Sequence, residues 1–158
     1  MADIPLPADL SAVLADYERR LRALETAPRL QNSQFLWPSD TINDTFNTSS
    51  TTPVDSTPTA GPTVVATVSN TGRVLVTASV FIGLNTTGQT GSVMLFIDGA
   101  FAMQIVALSN NASAFAANVS SYRSISGLTP GSHTFTLKYQ TSTGNVNFSG
   151  RTLVVQPY

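Results

Sequence analysis

The first apolar pattern in the chain has the spacing of a coiled-coil helix. Five large apolar residues follow one another at intervals of 4, 3, 4 and 3: Leu10, Leu14, Tyr17, Leu21 and Leu24. This rhythm predicts one helix over residues 10–25 with a single apolar seam, in which Leu14 and Leu21 occupy a positions and the other three occupy d positions. Pro28 stands where the next a residue would fall, so we expect the helix to end before it.

Two heptads make a helix that is marginal in water by itself, so it is expected to meet copies of itself. Arg20, two leucines and Glu25 match the pattern Arg, apolar, two free positions, apolar, Glu, which resembles the short trimerisation motif of three-stranded coiled coils. Arg20 at g and Glu25 at e flank the leucine layer, where the Arg stem covers the seam and its head reaches a neighbouring chain. The alternative is an amphipathic helix packed on its own β domain. The predicted trimer interface comprises Leu10, Leu14, Tyr17, Arg20, Leu21, Leu24 and Glu25.

Residues 29–62 have the composition of an extended connector. They are polar and rich in Thr and Ser, and prolines 38, 53, 58 and 62 punctuate them. Five large apolar residues depart from this character, and we expect them to dock on the β domain or between subunits as an edge strand. For the tryptophan among them, packing is favoured over a ligand-stacking role. These five are Phe35, Leu36, Trp37, Ile42 and Phe46.

From residue 63 onward the pattern is that of strands and turns. Short runs rich in β-branched residues alternate with Asn-Thr-Gly, Asp-Gly and Pro-Gly turns, and no helical period intervenes. The strands are predicted at 63–69, 73–82, 92–98, 101–108, 114–124, 133–141, 146–148 and 151–156, with Phe135, Leu137 and Tyr139 facing inward. This pattern predicts a mainly β chain in three parts: a helical oligomerisation and attachment segment (1–28), a connector (29–62) and an antiparallel jelly roll or β-sandwich (63–158).

The residues that most enzymes need are scarce. Charged residues make up 11% of the chain and the net charge is −1, which makes nucleic acid a poor partner. The chain has no cysteine, and residues 63–158 hold one acid, Asp98, and one histidine, His133. Asp98 is expected in an Asp-Gly turn and His133 in an alternating strand, so neither paired-carboxylate hydrolysis nor a Ser-His-Asp arrangement is predicted. We therefore predict a protein that is not an enzyme and has neither cofactor nor metal.

Two further features bear on location and ligands. The first ten residues lack a basic segment followed by an apolar run, and no apolar run reaches 18 residues, so neither a secretory leader nor a membrane span is expected. The polar loops at 85–91 and 109–113 have the groups to hydrogen-bond a carbohydrate, with ordinary solvated turns as the alternative.

Residues 15–33 (ADYERRLRALETAPRLQNS) and 127–158 (GLTPGSHTFTLKYQTSTGNVNFSGRTLVVQPY) resemble the opening and closing segments of small minor tail proteins of phages that infect actinobacteria. In that group a short N-terminal helix, a proline and a polar connector precede a jelly roll similar to tumour-necrosis-factor-like trimers. The resemblance implies a homotrimeric virion protein, assembled in the host cytoplasm, held to other virion proteins by its N-terminal part and in contact with the host surface or its glycans. The alternatives are a capsid decoration protein or head fibre, which share this plan, and a free carbohydrate-binding module.

Overall fold

The structure, a computed structural model, describes residues 8–26, 37–111 and 113–158. The chain divides into two units, Met1–Leu36 and Trp37–Tyr158. The first contains helix α1, and the second, called the β unit below, contains all eight strands. These elements are α1 (Ala8–Thr26), β1 (Ser39–Thr48), β2 (Thr63–Val68), β3 (Val74–Leu84), β4 (Thr90–Ile97), β5 (Ala100–Ser109), β6 (Phe115–Ile125), β7 (Gly131–Thr141) and β8 (Val146–Pro157).

The strands form two four-stranded antiparallel sheets with the connectivity of a jelly roll. One sheet has the order β1-β8-β3-β6 and the other the order β2-β7-β4-β5. Strand β1 pairs with β8, β2 with β7, β3 with β6, and β4 with β5. One long antiparallel ribbon therefore winds across both sheets. This arrangement confirms the predicted mainly β jelly roll with a short N-terminal helix.

Alternating side chains create the interior between the sheets. In β3 every second residue is at most 1% exposed, from Val74 to Leu84. In β7 the predicted inward residues Phe135, Leu137 and Tyr139 are completely buried. Because successive side chains of a strand point to opposite faces, this alternation fixes which face of each sheet meets the other.

The β unit begins at Trp37, well before the boundary at residue 63 that the sequence suggests. Strand β1 lies within the stretch assigned to the connector and pairs with β8 at the edge of its sheet, where Phe46 enters the core. Two residues between β1 and β2 hydrogen-bond to β7: Val54 exchanges two 2.9 Å backbone bonds with Tyr139, and the Pro62 carbonyl accepts one from Leu137. Strand β1 resembles a linker because its outward residues are Ser, Thr and Asn. Phe35 and Leu36 lie outside the described residues.

Strand β8 joins two segments that the sequence analysis separated, 146–148 and 151–156. Gly150 between them has φ +52°, in the left-handed region that glycine adopts most easily, and the pairing with β3 is irregular opposite it. The irregularity is a β-bulge, which inserts one extra residue and changes the phase of the alternation. Phe148 and Arg151 therefore both face the interior, three positions apart.

Arg151 carries a charge into that interior. Its side chain is completely buried, its Nη2 donates to Oδ1 of Asp44 on β1, and the guanidinium carbon lies 5.4 Å from the ring centre of Tyr139 and 6.0 Å from that of Phe46. Burial raises the pKa of the neighbouring Tyr139 phenol. The pair links the edge strand β1 to the central strand β8 in an apolar setting.

We predict that Asp44→Ala lowers the free energy of unfolding by roughly 3 kcal/mol, because it leaves the buried Arg151 without its counter-charge. Urea unfolding of the purified protein measures the loss. The matched control is Asp55→Ala, because Asp55 pairs with Lys138 at 3.4 Å on a partly exposed surface, where an ion pair contributes about 0–1 kcal/mol. Equal, small losses in both variants would show that the buried pair does not hold β1 in place.

Candidate functional site

Helix α1 presents an apolar stripe at its surface. Leu10, Leu14 and Tyr17 of the predicted trimer interface are 43%, 45% and 59% exposed, and Val13, which the sequence analysis left out, adjoins them at 50%. Arg20 is also exposed. The helix includes the backbone of Leu21, Leu24 and Glu25, but their side chains lie outside the described part of the structure. The trimeric coiled coil itself stays a prediction.

Two charged residues of α1 lie away from this stripe. Asp16 and Arg19 form an ion pair at 2.5 Å, one helical turn apart, and both side chains are largely exposed. In the predicted heptad they occupy c and f positions, opposite the a and d seam. Such an exposed pair adds little stability.

At one end of the β unit, Asp98 and His133 meet. Asp98 has φ +50° and Gly99 φ +80°, as the predicted Asp-Gly turn between β4 and β5 requires. Oδ2 of Asp98 lies 2.6 Å from Nδ1 of His133, and its Oδ1 accepts a 2.8 Å hydrogen bond from the Thr134 amide. On the other side of the ring, Nε2 lies 2.8 Å from the Thr129 carbonyl oxygen. The two residues are in the turn and the strand that the sequence predicted, but the prediction did not bring them together.

This cluster is arranged to hold turns together, and its imidazole is unsuited to act as a base. Nε2 donates to a carbonyl oxygen and Nδ1 faces a carboxylate, so neither ring nitrogen offers a free lone pair. The Thr129 hydroxyl is 3.4 Å from Nε2, which is long for a nucleophile and its base. The hydrogen bond to the Thr129 carbonyl and the contact with Asp98 raise the pKa of His133 above its usual 6.5. The Thr134 amide and His133 lower the pKa of Asp98 below its usual 3.8.

At the opposite end, the completely buried side chain of Gln89 links two loops. Its Oε1 accepts hydrogen bonds from the amides of Asn85 and Thr86, at 2.8 and 3.4 Å. Its Nε2 donates to the carbonyl oxygens of Thr143 and Asn145, at 2.7 and 3.1 Å. The β3–β4 loop is therefore fixed to the β7–β8 loop by one side chain.

Asn110 attaches the β5–β6 loop to the same group. The side-chain Oδ1 of Asn110 accepts a 3.1 Å hydrogen bond from the backbone amide of Gln89. The backbone amide of Asn110 donates to the backbone carbonyl of Gln89, also at 3.1 Å. Asn110 also lines a shallow surface depression together with Asn111, Ser113 and Phe115. Phe115 is 49% exposed at the rim of this depression.

The described residues contain no group of three or more His, Asp or Glu side chains placed to hold a metal ion. No helix described is both long and apolar enough to cross a bilayer.

No protein-family model matches the chain, and no curated protein matches it in sequence. Among solved structures, it is similar to the Eiger TNF of S. frugiperda, with a TM-score of 0.46 and 14% identity over 77% of this chain and 92% of that one. It is also similar to the VP2 subviral particle of infectious bursal disease virus (TM-score 0.45, 12% identity, 78% of this chain and 34% of that one). The C-terminal domain of EclA, a sugar-binding protein, gives a TM-score of 0.38 at 11% identity, over 98% of this chain and 100% of that domain.

These likenesses concern the fold alone. The TM-scores are all below 0.5, and the chain spans only 34% of VP2 and 18% of a Paenibacillus glucanotransferase that it also resembles at 21% identity. The jelly-roll assignment therefore rests on the strand order of this chain.

Three of these features were missed by the sequence analysis, and only one had left a usable signal. Arg151 has the same alternation phase as Leu153 and Val155, so counting back by two from those residues would have placed it inside. Asp98 and His133 are 35 residues apart in the sequence, and the hydrogen bonds of Gln89 join residues up to 56 apart. No local sequence pattern indicates such contacts.

We predict that the folded protein loses stability as the pH rises through the raised pKa of His133. Because the pKa of His133 is raised in the folded state, protonation of its imidazole stabilises the fold. That stabilisation is fully present below the unfolded pKa of 6.5 and is lost as the folded imidazole deprotonates. Urea midpoints at about pH 6 and about pH 9 should therefore differ in the wild type. The difference should shrink in His133→Asn, since the chain has a single histidine. An equal pH dependence in both proteins would rule out this role for the Asp98–His133 contact.

Proposed function

We propose that this protein is a non-enzymatic structural component of a bacteriophage particle, a homotrimeric minor tail or tail-tip protein. Its N-terminal part attaches it to other virion proteins and its β unit faces outward. The observation that carries the proposal is the exposed stripe of Leu10, Leu14 and Tyr17 on α1. A single chain that leaves such a stripe in water has a surface suited to a partner, and the heptad spacing makes a copy of the same helix the best fit.

Arg20 and Glu25 favour three chains over two. Their positions beside the predicted leucine layer match the motif that resembles those of three-stranded coiled coils. An Arg stem lying along the seam shields the apolar layer, and its head selects the partner geometry through the Glu of a neighbouring chain. The exposure of Arg20 leaves its head available for that contact.

The outer face of the sheet β1-β8-β3-β6 also supports self-association. Its strand pairing places no charged side chain among the outward positions, and Tyr122 there is 70% exposed. Interfaces are depleted of charge and enriched in Tyr at their centres, because uncharged groups cost less to remove from water. The outward positions are Ser39, Thr41, Thr45 and Asn47 on β1, Asn147, Ser149, Thr152, Val154 and Gln156 on β8, Leu75, Thr77, Ser79, Phe81 and Gly83 on β3, and Ala116, Asn118, Ser120, Tyr122 and Ser124 on β6.

A role without catalysis is supported by the way the β unit uses its single histidine. His133 binds the Thr129 carbonyl and the Asp98 carboxylate, which fixes turns and occupies both ring nitrogens. The alternative particle role, a capsid decoration protein or head fibre, uses the same trimer with a different point of attachment. A carbohydrate-binding module is the second alternative, and the uncharged loops around Gln89 are what favours it.

We predict that Leu14→Asp converts trimers into monomers, because it places a carboxylate in the apolar seam of all three chains. Sedimentation velocity measures the change in mass. The matched control is Ala12→Asp, since residue 12 occupies an f position on the outer side of the predicted bundle and should leave the trimer intact.

Two outcomes contradict the proposal. If the wild-type protein sediments as a monomer, the proposed trimer does not exist. If the Leu14→Asp protein stays trimeric, the helix is not the main association element. In particles, the same variant should fail to be incorporated, whereas the control should be incorporated normally.

A further inference from the structure

The three loops joined by Gln89 and Asn110 form one end of the β unit, called the loop pole below. Its described residues are 85–89, 110–111, 113–115 and 142–145. We infer that the loop pole is a binding site for neutral carbohydrate, such as an uncharged glycan of a host envelope. The inference rests on the proposed function, since an outward-facing virion protein is what would present this end to a cell.

The loop pole is preorganised. Gln89 makes four hydrogen bonds to backbone groups of two loops, and Asn110 attaches the third loop through two more. Both side chains are buried, so water competes little for these bonds. A ligand that binds loops already held in place avoids most of the cost of ordering them.

The exposed chemistry of the loop pole matches a sugar. Its exposed side chains are amides and hydroxyls, namely Asn85, Thr86, Thr87, Asn111, Ser113, Ser142, Thr143 and Asn145. Each sugar hydroxyl both donates and accepts hydrogen bonds, as amide and hydroxyl side chains do in return. Phe115 adds a half-exposed aromatic ring against which the C–H face of a sugar packs.

A second observation comes from Asn110 beneath the depression. Its Oδ1 accepts a hydrogen bond from the backbone amide of Gln89, while its Nδ2 is buried and has no hydrogen-bond acceptor among the described residues. An unsatisfied buried donor costs stability unless water or a ligand supplies the acceptor. Here it lies in the lining of the depression next to Asn111 and Phe115. A small shift of that loop would offer the donor to a ligand hydroxyl.

The lack of charge sets the ligand class. No Asp, Glu, Lys, Arg or His occurs in the described loop-pole residues, so phosphate, sulfate and sialic acid groups would find no counter-charge. Protein partners are usually anchored by clusters of Trp, Tyr, Arg or Met, and the loop pole has one aromatic ring. Hydroxyl-rich, uncharged saccharides fit best.

The position of the loop pole in the β unit is also suitable. Thr48, Leu84, Phe115 and Val146 stand side by side in the sheet next to these loops, whereas Ser39 begins β1 at the other end, beside Val154. The chain therefore enters the β unit at the end opposite the loop pole. The loop pole is thus remote from the residue at which β1 begins.

The test measures binding of the full-length protein to an array of neutral oligosaccharides of glucose, galactose, mannose and N-acetylglucosamine, printed beside sialylated and sulfated ones. The best neutral probe is then titrated by saturation-transfer NMR. We expect neutral probes to bind, and Phe115→Ala and Asn111→Ala each to weaken binding by about tenfold. The matched control is Phe101→Ala, a 59% exposed phenylalanine near the other end of the β unit, which should bind as the wild type does.

Thermal unfolding first shows whether each variant is folded, and Asn111→Ala, an exposed change, keeps the test valid if Phe115→Ala is not. The inference is overturned if no neutral probe binds, if only charged probes bind, or if the loop-pole variants bind as tightly as Phe101→Ala does. Sedimentation of the same samples separates the two proposals. A trimer that binds no neutral sugar contradicts only this inference, whereas a monomer that binds through the loop pole contradicts only the proposed function.

Discussion

The structure depends on the exclusion of water between two sheets in which most strands alternate inward and outward side chains. Each fully buried Val, Leu or Phe contributes about 1.5–3 kcal/mol relative to exposure, and most inward positions of β3, β7 and β8 are large apolar residues. A slip of one residue in any of these strands would turn its apolar side to solvent. The register is therefore fixed, and with it the position of every turn. The Asp98 turn and the loop pole lie at opposite ends because this register puts them there.

Most of the few charged side chains in the β unit bind a partner within the unit. Each of its four carboxylates has a partner within the unit: Asp40 accepts from the Thr63 amide, Asp44 binds Arg151, Asp55 binds Lys138 and Asp98 binds His133. Charges used in this way hold edges and turns in place. Apart from the exposed Arg73 and Arg123, the outer surface carries mainly hydroxyls, amides and a few aromatic rings. Such a surface suits uncharged partners, either copies of the chain or neutral saccharides.

The sequence predicts the parts of this fold that depend on local periodicity. The period of two identified the strands and the inward side of β7, and the 3-4 spacing of leucines identified α1. Strand β1 was predicted only as an edge element around Ile42 and Phe46, because its outward residues are the Thr, Ser and Asn of a linker. The bulge at Gly150 separates the phase of Arg151 from that of Phe148, so only the alternation with Leu153 and Val155 points Arg151 inward. Contacts between distant loops, such as those of Gln89, arise from the tertiary fold, so no local pattern could announce them.

The central claim is that α1 exists to bring copies of the chain together. Sedimentation equilibrium of the wild-type protein over a range of concentrations tests this most directly. The account predicts a species with three times the 16.7 kDa mass of one chain, dissociating only on strong dilution. A stable 16.7 kDa species at every concentration would contradict it.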